Sequence, residues 1–316
     1  MDLLTIGDSS IDLYMKVAQE YGQPEVNSDG EVKLCFYHGS KIPVDHFETS
    51  IAGNSINVGV GAKTLGLDVG IYTEVGDDQN GQRIVRELKE LNIETKYIDI
   101  NKNRPTNVHA IIVYGGDRTI FSHHLKWEYN NPNWEKPKWI YYTSMAENFP
   151  DFQKDLIKYL GENRDIGVAF NPGTLHMKAG FNSFKEFLLI TDIFFVNKDE
   201  AGILVGEKPL EQLHIDLHKL GVKMSVVTNG KEGASAFDGE NLISVNAFTD
   251  ERPVLDKTGA GDAFASGFLS AIFYGKGMQQ ALGWGVINSG RVIKEIGSIK
   301  GLCNKDQIED LITKLS

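Results

Sequence analysis

The segment Asp256-Lys257-Thr258-Gly259-Ala260-Gly261-Asp262 brings a carboxylate to a glycine-rich turn that feeds a helix. Phe264, Phe268 and Ile272 follow at i, i+4 and i+8, the apolar stripe of a buried helix. Two glycines and an alanine leave the backbone N–H groups of the turn uncovered, so a ligand can approach them closely. Unpaired amides at a helix start, with the helix dipole behind them, make an anion site suited to charge on a transferring phosphoryl group. A carboxylate is repelled by phosphate, so Asp262 makes sense there as the group that accepts the proton of an attacking hydroxyl. Taken alone, Gly259 to Asp262 also fits an ordinary helix start, because Asp is a favoured N-cap and glycine commonly precedes a helix.

Short apolar runs at 3–6, 69–73, 139–143, 167–170, 193–196 and 224–228 are bounded by Gly, Asn, Asp or Pro, as buried strands are. Amphipathic helical patterns lie between several of them, at 83–91, 151–160 and 210–220. Strands alternating with helices predict a three-layer α/β/α body around a mostly parallel sheet. Two stretches break that rhythm with strand character, one across 31–50 and one across 107–123, the second around Gly115-Gly116-Asp117. They fit edge hairpins of the main sheet or a small β-sheet lid, and the lid is the preferred reading. The expectation is one domain over 1–316, with the lid formed by about 13–50 and 104–124. The last third reads as helical over 258–275, 277–296 and 305–315.

Further polar groups follow the apolar runs, at the strand ends where ligands bind in open α/β sheets. Asn197-Lys198-Asp199-Glu200 follows the run at 193–196, and by itself also reads as a capping box. Thr228-Asn229-Gly230-Lys231-Glu232-Gly233 is a glycine-punctuated turn. Asp12 follows the first run, and Ala52-Gly53-Asn54-Ser55-Ile56-Asn57 opens a helical pattern. Val75-Gly76-Asp77-Asp78-Gln79-Asn80-Gly81 makes a further turn. In their order along the chain, from 52–57 through 75–81, 197–200 and 228–233 to 256–262, and with Asp256 two residues before Thr258, the five motifs resemble those of the ribokinase-like (PfkB-type) carbohydrate kinases over nearly the whole chain.

The resemblance implies a role for each matching residue. Asp262 resembles the general base, and the backbone of Gly259, Ala260 and Gly261 the anion hole. Asp12, Gly53 and Asn57 resemble the sugar-binding set. Asn197 and Glu200 resemble the pair that organises Mg²⁺-bound phosphates, and Thr228, Gly230 and Gly233 the nucleotide-contacting turn. Asp256 and Thr258 resemble part of a monovalent-cation site, which implies K⁺ beside ATP and Mg²⁺. The implied activity is ATP-dependent phosphorylation of a hydroxyl on a small carbohydrate. A nucleoside kinase of the same fold is the alternative, with Phe36, Tyr37 and Phe47 available to stack on a base; a non-catalytic sugar or nucleotide sensor is a third reading. Departures from the pattern are Ala52 in place of a glycine, Lys257 in place of a small residue, and no Arg in 170–174.

Bulk properties narrow the alternatives. The 316 residues are 41% hydrophobic, enough for a sizeable core, and the net charge of −11 disfavours a nucleic-acid partner. Gly59 to Thr64 lacks the glycine that a P-loop needs before its lysine, and His123-His124 lacks the spacing of a helical metal pair. Two distant cysteines, Cys35 and Cys303, suggest neither a disulfide framework nor a zinc site. No run approaches a membrane span, and the first residues lack the pattern of a signal peptide, so a cytoplasmic location is expected. A lid with exposed strand edges would pair with that of a second copy, so a homodimer is expected as well.

Overall fold

The structure, a computed structural model, describes residues 1–28, 30–115, 117–130 and 133–313. Nine strands form the central sheet, in the order Leu242–Val245, Ala234–Phe237, Met224–Thr228, Ile193–Asn197, Gly167–Phe170, Trp139–Tyr142, Leu3–Ile6, Val69–Gly76 and Ile98–Asn101. The first two are antiparallel to their neighbours and the rest run parallel. Residues in Leu3–Ile6 and Val69–Gly76 are buried throughout, as expected for strands covered on both faces.

Two apolar cores lie on the two faces of this sheet. One packs Ile56, Val60, Phe264, Phe268, Leu282 and Trp284 against it; the other packs Phe149, Phe152, Phe184, Phe187 and Leu213. Successive side chains of a strand point to opposite faces, so Leu3 and Tyr141 feed the first core while Leu4, Ile140 and Tyr142 feed the second. The chain moves from Leu3–Ile6 to Val69–Gly76 on one side, then returns to Trp139–Tyr142 on the other. The crevice where the connections diverge lies at the carboxyl end of Leu3–Ile6.

A separate four-stranded sheet has the order Val44–Ala52, Ser10–Val17, Val108–Tyr114 and Asp117–His123. Its outer pairs are antiparallel, while Ser10–Val17 and Val108–Tyr114 run parallel. The second expected excursion is therefore a hairpin of this sheet, not an edge of the central one. The first excursion contributes Val44–Ala52, and a small hairpin of Gln23–Val26 with Val32–Cys35 stands apart. One boundary moves. The sheet begins at Ser10, so Asp12 is a strand residue of the small sheet, where the expected lid began at about residue 13. The sequence reading also passed over the edge strands Ile98–Asn101 and Leu242–Val245, four residues each. The C-terminal helices are Ala260–Phe273, Met278–Val292 and Lys305–Ile312; the first two are shorter than expected by a few residues at their ends, and residues 314 and 315 of the third expected helix lie outside the described residues. Among the described residues, no helix is long and apolar enough to cross a membrane.

Candidate active site

The helix Ala260–Phe273 starts on Gly259, whose φ of 75° is left-handed and which offers no side chain as a cap. A Cβ on Gly259 would lie 2.6 Å from the Ser298 Cβ and 2.7 Å from its Cα, so the turn closes directly onto the 297–298 loop. Ala260 N–H bonds back to Lys257 O at 3.3 Å. The next two amides, of Gly261 and Asp262, have no acceptor among the described residues. Gly261 is exposed and nothing stands where its Cβ would be, so this end of the helix is open to a ligand. Lys257 points to solvent.

Asp262 is not the cap; it sits inside the first turn and is 6% exposed. Asn57 Nδ2 donates to its Oδ2 at 2.7 Å and Asn54 Nδ2 to its Oδ1 at 2.9 Å. Both amides come from the helix Asn54–Thr64, where their i, i+3 spacing puts them on one face. Burial pushes the Asp262 carboxyl up to about 6. The two amide donors pull it down, and the charge of Asp12 adds to the rise. Asn54 stands inside a motif noted from the sequence but was not singled out as a site residue; its spacing from Asn57 was the available signal.

Asp12 is 4% exposed and lies on the face of the small sheet that meets the body. Ser10 Oγ donates to Asp12 Oδ1 at 2.9 Å, and Tyr14 OH to Oδ2 at 3.2 Å. His109, opposite Asp12 in the parallel register, brings Nδ1 to 3.2 Å from Oδ1. Neither Tyr14 nor His109 carries a local sequence signal, because only the sheet register brings them to Asp12. Gly53 ends the return strand with a φ of 113°, and its Cα packs so closely that a Cβ would meet Asp8 O at 2.4 Å. Asp8 is held by Tyr129 OH at 2.6 Å and His124 Nε2 at 2.7 Å. His124 thus anchors the end of the small sheet to the crevice of the large one.

The other residues singled out from the sequence gather at neighbouring strand ends. Asn197 and Thr228 are the last residues of adjacent strands and stand in register. Asn197 and Glu200 form a reciprocal capping box, with Asn197 Oδ1 accepting from Glu200 N at 2.8 Å and Glu200 Oε2 from Asn197 N at 2.9 Å. Burial raises the Glu200 carboxyl. Gly230 begins a short turn, and Asn229 N–H bonds to Gly233 O across it at 2.8 Å. These residues bond among themselves and share no hydrogen bond with Asp262 among the described residues. Tyr141 lies within reach of both groups: burial raises its phenol, and the charges of Asp262 and Glu200 add to the rise.

Asp256 is 2% exposed, and its Oδ1 accepts from Thr258 N at 2.9 Å and Thr258 Oγ1 at 2.7 Å. Its Oδ2 accepts from Gly297 N at 3.1 Å. Among the described residues no cluster of three His, Cys, Asp or Glu side chains could hold a metal ion, so a cation here would draw mainly on backbone oxygens. Phe47, one of the aromatics considered for base stacking, opposes Met15 and lies on the face of the small sheet turned away from Asp12.

Comparison with known proteins agrees with this fold. The ATP-dependent 6-phosphofructokinase of Thermoanaerobacterium thermosaccharolyticum is 26% identical, with 98% of this chain and 93% of that protein covered. Among solved structures, the nucleoside kinase of Methanocaldococcus jannaschii superposes with a TM-score of 0.79 at 21% identity, covering 99% of each chain. The ribokinase of Arabidopsis thaliana complexed with ribose and ATP superposes with a TM-score of 0.77 at 20% identity, covering 98% of each. The pattern of the family described as "pfkB family carbohydrate kinase" matches residues 3–304, so the chain belongs to that family.

Proposed function

We propose that the protein is an ATP-dependent phosphotransferase acting on a hydroxyl of a small carbohydrate, with Asp262 as general base. The observation that carries this reading is a buried carboxylate, raised to about 6 and gripped by two amides, beside two unpaired helix-start N–H groups. Asp262 accepts the proton of the attacking hydroxyl, while the Gly261 and Asp262 amides, on the turn with Gly259 and Ala260, face the charge of the transferring group. Asp12, Gly53 and Asn57 line the acceptor side, and a carboxylate at Asp12 accepts from sugar hydroxyls. Thr228, Gly230 and Gly233 line the nucleotide side.

Asn197 and Glu200 supply hard oxygen donors there, suited to Mg²⁺ directly or through water. Bound with the nucleotide, Mg²⁺ would supply positive charge to the phosphates. Asp256 and Thr258 would hold K⁺. The small sheet acts as a lid that excludes water from the acceptor. Replacing all K⁺ by a bulky organic cation tests the second ion, and unchanged turnover would reject it.

We favour a sugar or sugar derivative over a nucleoside as the acceptor: of the three aromatics considered for base stacking, Phe47 lies on the face of the lid turned away from Asp12. That far face carries Leu13, Met15, Phe47, Ile112 and Phe121, with Phe47 57% and Phe121 63% exposed. A second copy of the lid would cover it. Phe47→Asp should therefore convert a dimer to a monomer in sedimentation; a monomeric parent protein refutes the pairing. The substrate class is tested by ADP production from ATP·Mg²⁺ over pentoses, hexoses, sugar acids, sugar phosphates and nucleosides. A signal with nucleosides alone would favour the nucleoside kinase reading, and ATP binding without turnover on any acceptor would favour a sensor.

A further inference from the structure

We propose that Ser298 is a positioning residue for the base: its hydroxyl fixes the Asn57 amide so that the NH₂ group, and not the oxygen, faces Asp262. The inference deepens the reading of Asp262 as the base and rests on it.

An ionised carboxylate only accepts hydrogen bonds, so Asn57 must turn its NH₂ toward Asp262 Oδ2, where it stands at 2.7 Å. An amide side chain can flip, exchanging donor for acceptor with almost no change in shape. What sets the orientation is the partner of Oδ1, and that partner is Ser298, whose Oγ donates at 2.8 Å. Ser298 is 1% exposed and Asn57 6%, so water is a poor substitute. The loop that carries the hydroxyl is held from three sides. Gly297 N–H, next in the chain, is tied to Asp256 Oδ2 at 3.1 Å. Gly259 presses on the Ser298 Cα and Cβ, leaving no room for a side chain between them. Ile296 packs on Tyr14, Ile111 and Val113 of the small sheet. A loop fixed by the cation-side carboxylate, the anion-hole glycine and the lid thus delivers one donor to the residue that grips the base.

Without the hydroxyl, Asn57 Oδ1 is buried and unpaired. Rotating the amide turns that oxygen onto Asp262 Oδ2, where it repels the carboxylate and accepts from the protonated acid. Both effects favour protonation. The titratable groups that act on Asp262 from the elements around it are Asp12, on the lid, and Tyr141, on the central sheet. Ser298→Ala retains both, as it does Asn54.

The test is the Asp262 titration, followed by ¹³C NMR of labelled aspartate carboxyls and assigned with Asp262→Asn. It needs no turnover, so its outcome is separate from whether the acceptor or the role of the base has been read correctly. Loss of one buried hydrogen bond should move the midpoint up by about half a unit to one unit in Ser298→Ala. In an Asn57→Ala background the same substitution should move it by less than about a quarter of that, because there is no amide left to orient. With an active substrate, kcat/KM should fall about two- to fivefold near pH 6 but by no more than about a tenth near pH 8, whereas a merely structural role gives the same loss at both. A misfolded fraction lowers amplitudes without moving a midpoint. An unmoved midpoint in Ser298→Ala, or an equal shift with and without Asn57, overturns the proposal.

Discussion

If Asp262 is the base, its burial should appear in both activity and stability as the pH is lowered. The carboxyl stands at about 6 against an ordinary 3.8, with burial the main cause. Its ionised fraction then falls from about nine-tenths near pH 7 to about one-tenth near pH 5, and kcat/KM should fall about tenfold over that span. The stability effect has the opposite sign. Between 3.8 and about 6 the folded protein binds a proton that the unfolded chain does not, so this group stabilises the fold as the pH falls through that window. The gap corresponds to about 3 kcal/mol, an upper figure for one buried group. The assay is urea unfolding at pH values from about 4 to about 7.5, comparing wild type with Asp262→Asn. Relative to the variant, the wild type should gain up to about 3 kcal/mol at the acid end. Parallel pH curves for the two proteins, or a flat kcat/KM between pH 7 and 5, would refute the reasoning, because either means that Asp262 is ordinary or already neutral.

Two further outcomes follow from the packing. Gly259→Ala combines a left-handed φ of 75° with a Cβ 2.7 Å from the Ser298 Cα and 2.8 Å from its O. It should lower unfolding stability by at least about 2 kcal/mol, and a fully stable variant would show that the turn is looser than described. His176 and His214 are buried neutral, bonded to Tyr142 OH and to the hydroxyls of Ser225 and Ser235. Burial pushes them down to about 3 and about 4. The unfolded chain therefore takes up protons that the fold refuses, and stability is lost as the pH falls below about 6.5, by about 3 kcal/mol for His214 near pH 4. His214→Leu should flatten that part of the curve, and an unchanged slope would contradict the assignment.

The parallel strands were legible because residues covered on both faces leave continuous apolar runs, as in Leu3–Ile6 and Met224–Thr228. The short edge strands Ile98–Asn101 and Leu242–Val245 leave no such run, since one or more of their residues reach solvent. Asp262, Asn57 and Asp12 stood out by type and by resemblance. The protein's treatment of them did not. In the sequence Asp12 only follows the first apolar run; the register opposite His109 makes it a strand residue in a polar cluster. Ser298 is 241 residues from Asn57, and no local pattern announces a contact that only the folded chain creates. Asn197 and Glu200 illustrate the converse case. Their capping box was legible as local structure, and it forms as the local pattern predicts.

The central claim is tested most directly by a single-turnover measurement of phosphoryl transfer, comparing wild type and Asp262→Asn at saturating ATP·Mg²⁺ with the best acceptor from the substrate panel. Removal of a general base at constant side-chain size should slow transfer by about 10²- to 10⁴-fold while nucleotide binding changes little. A variant that transfers phosphate at more than about a tenth of the wild-type rate would contradict the account, since the proton would then leave by a route that does not use Asp262.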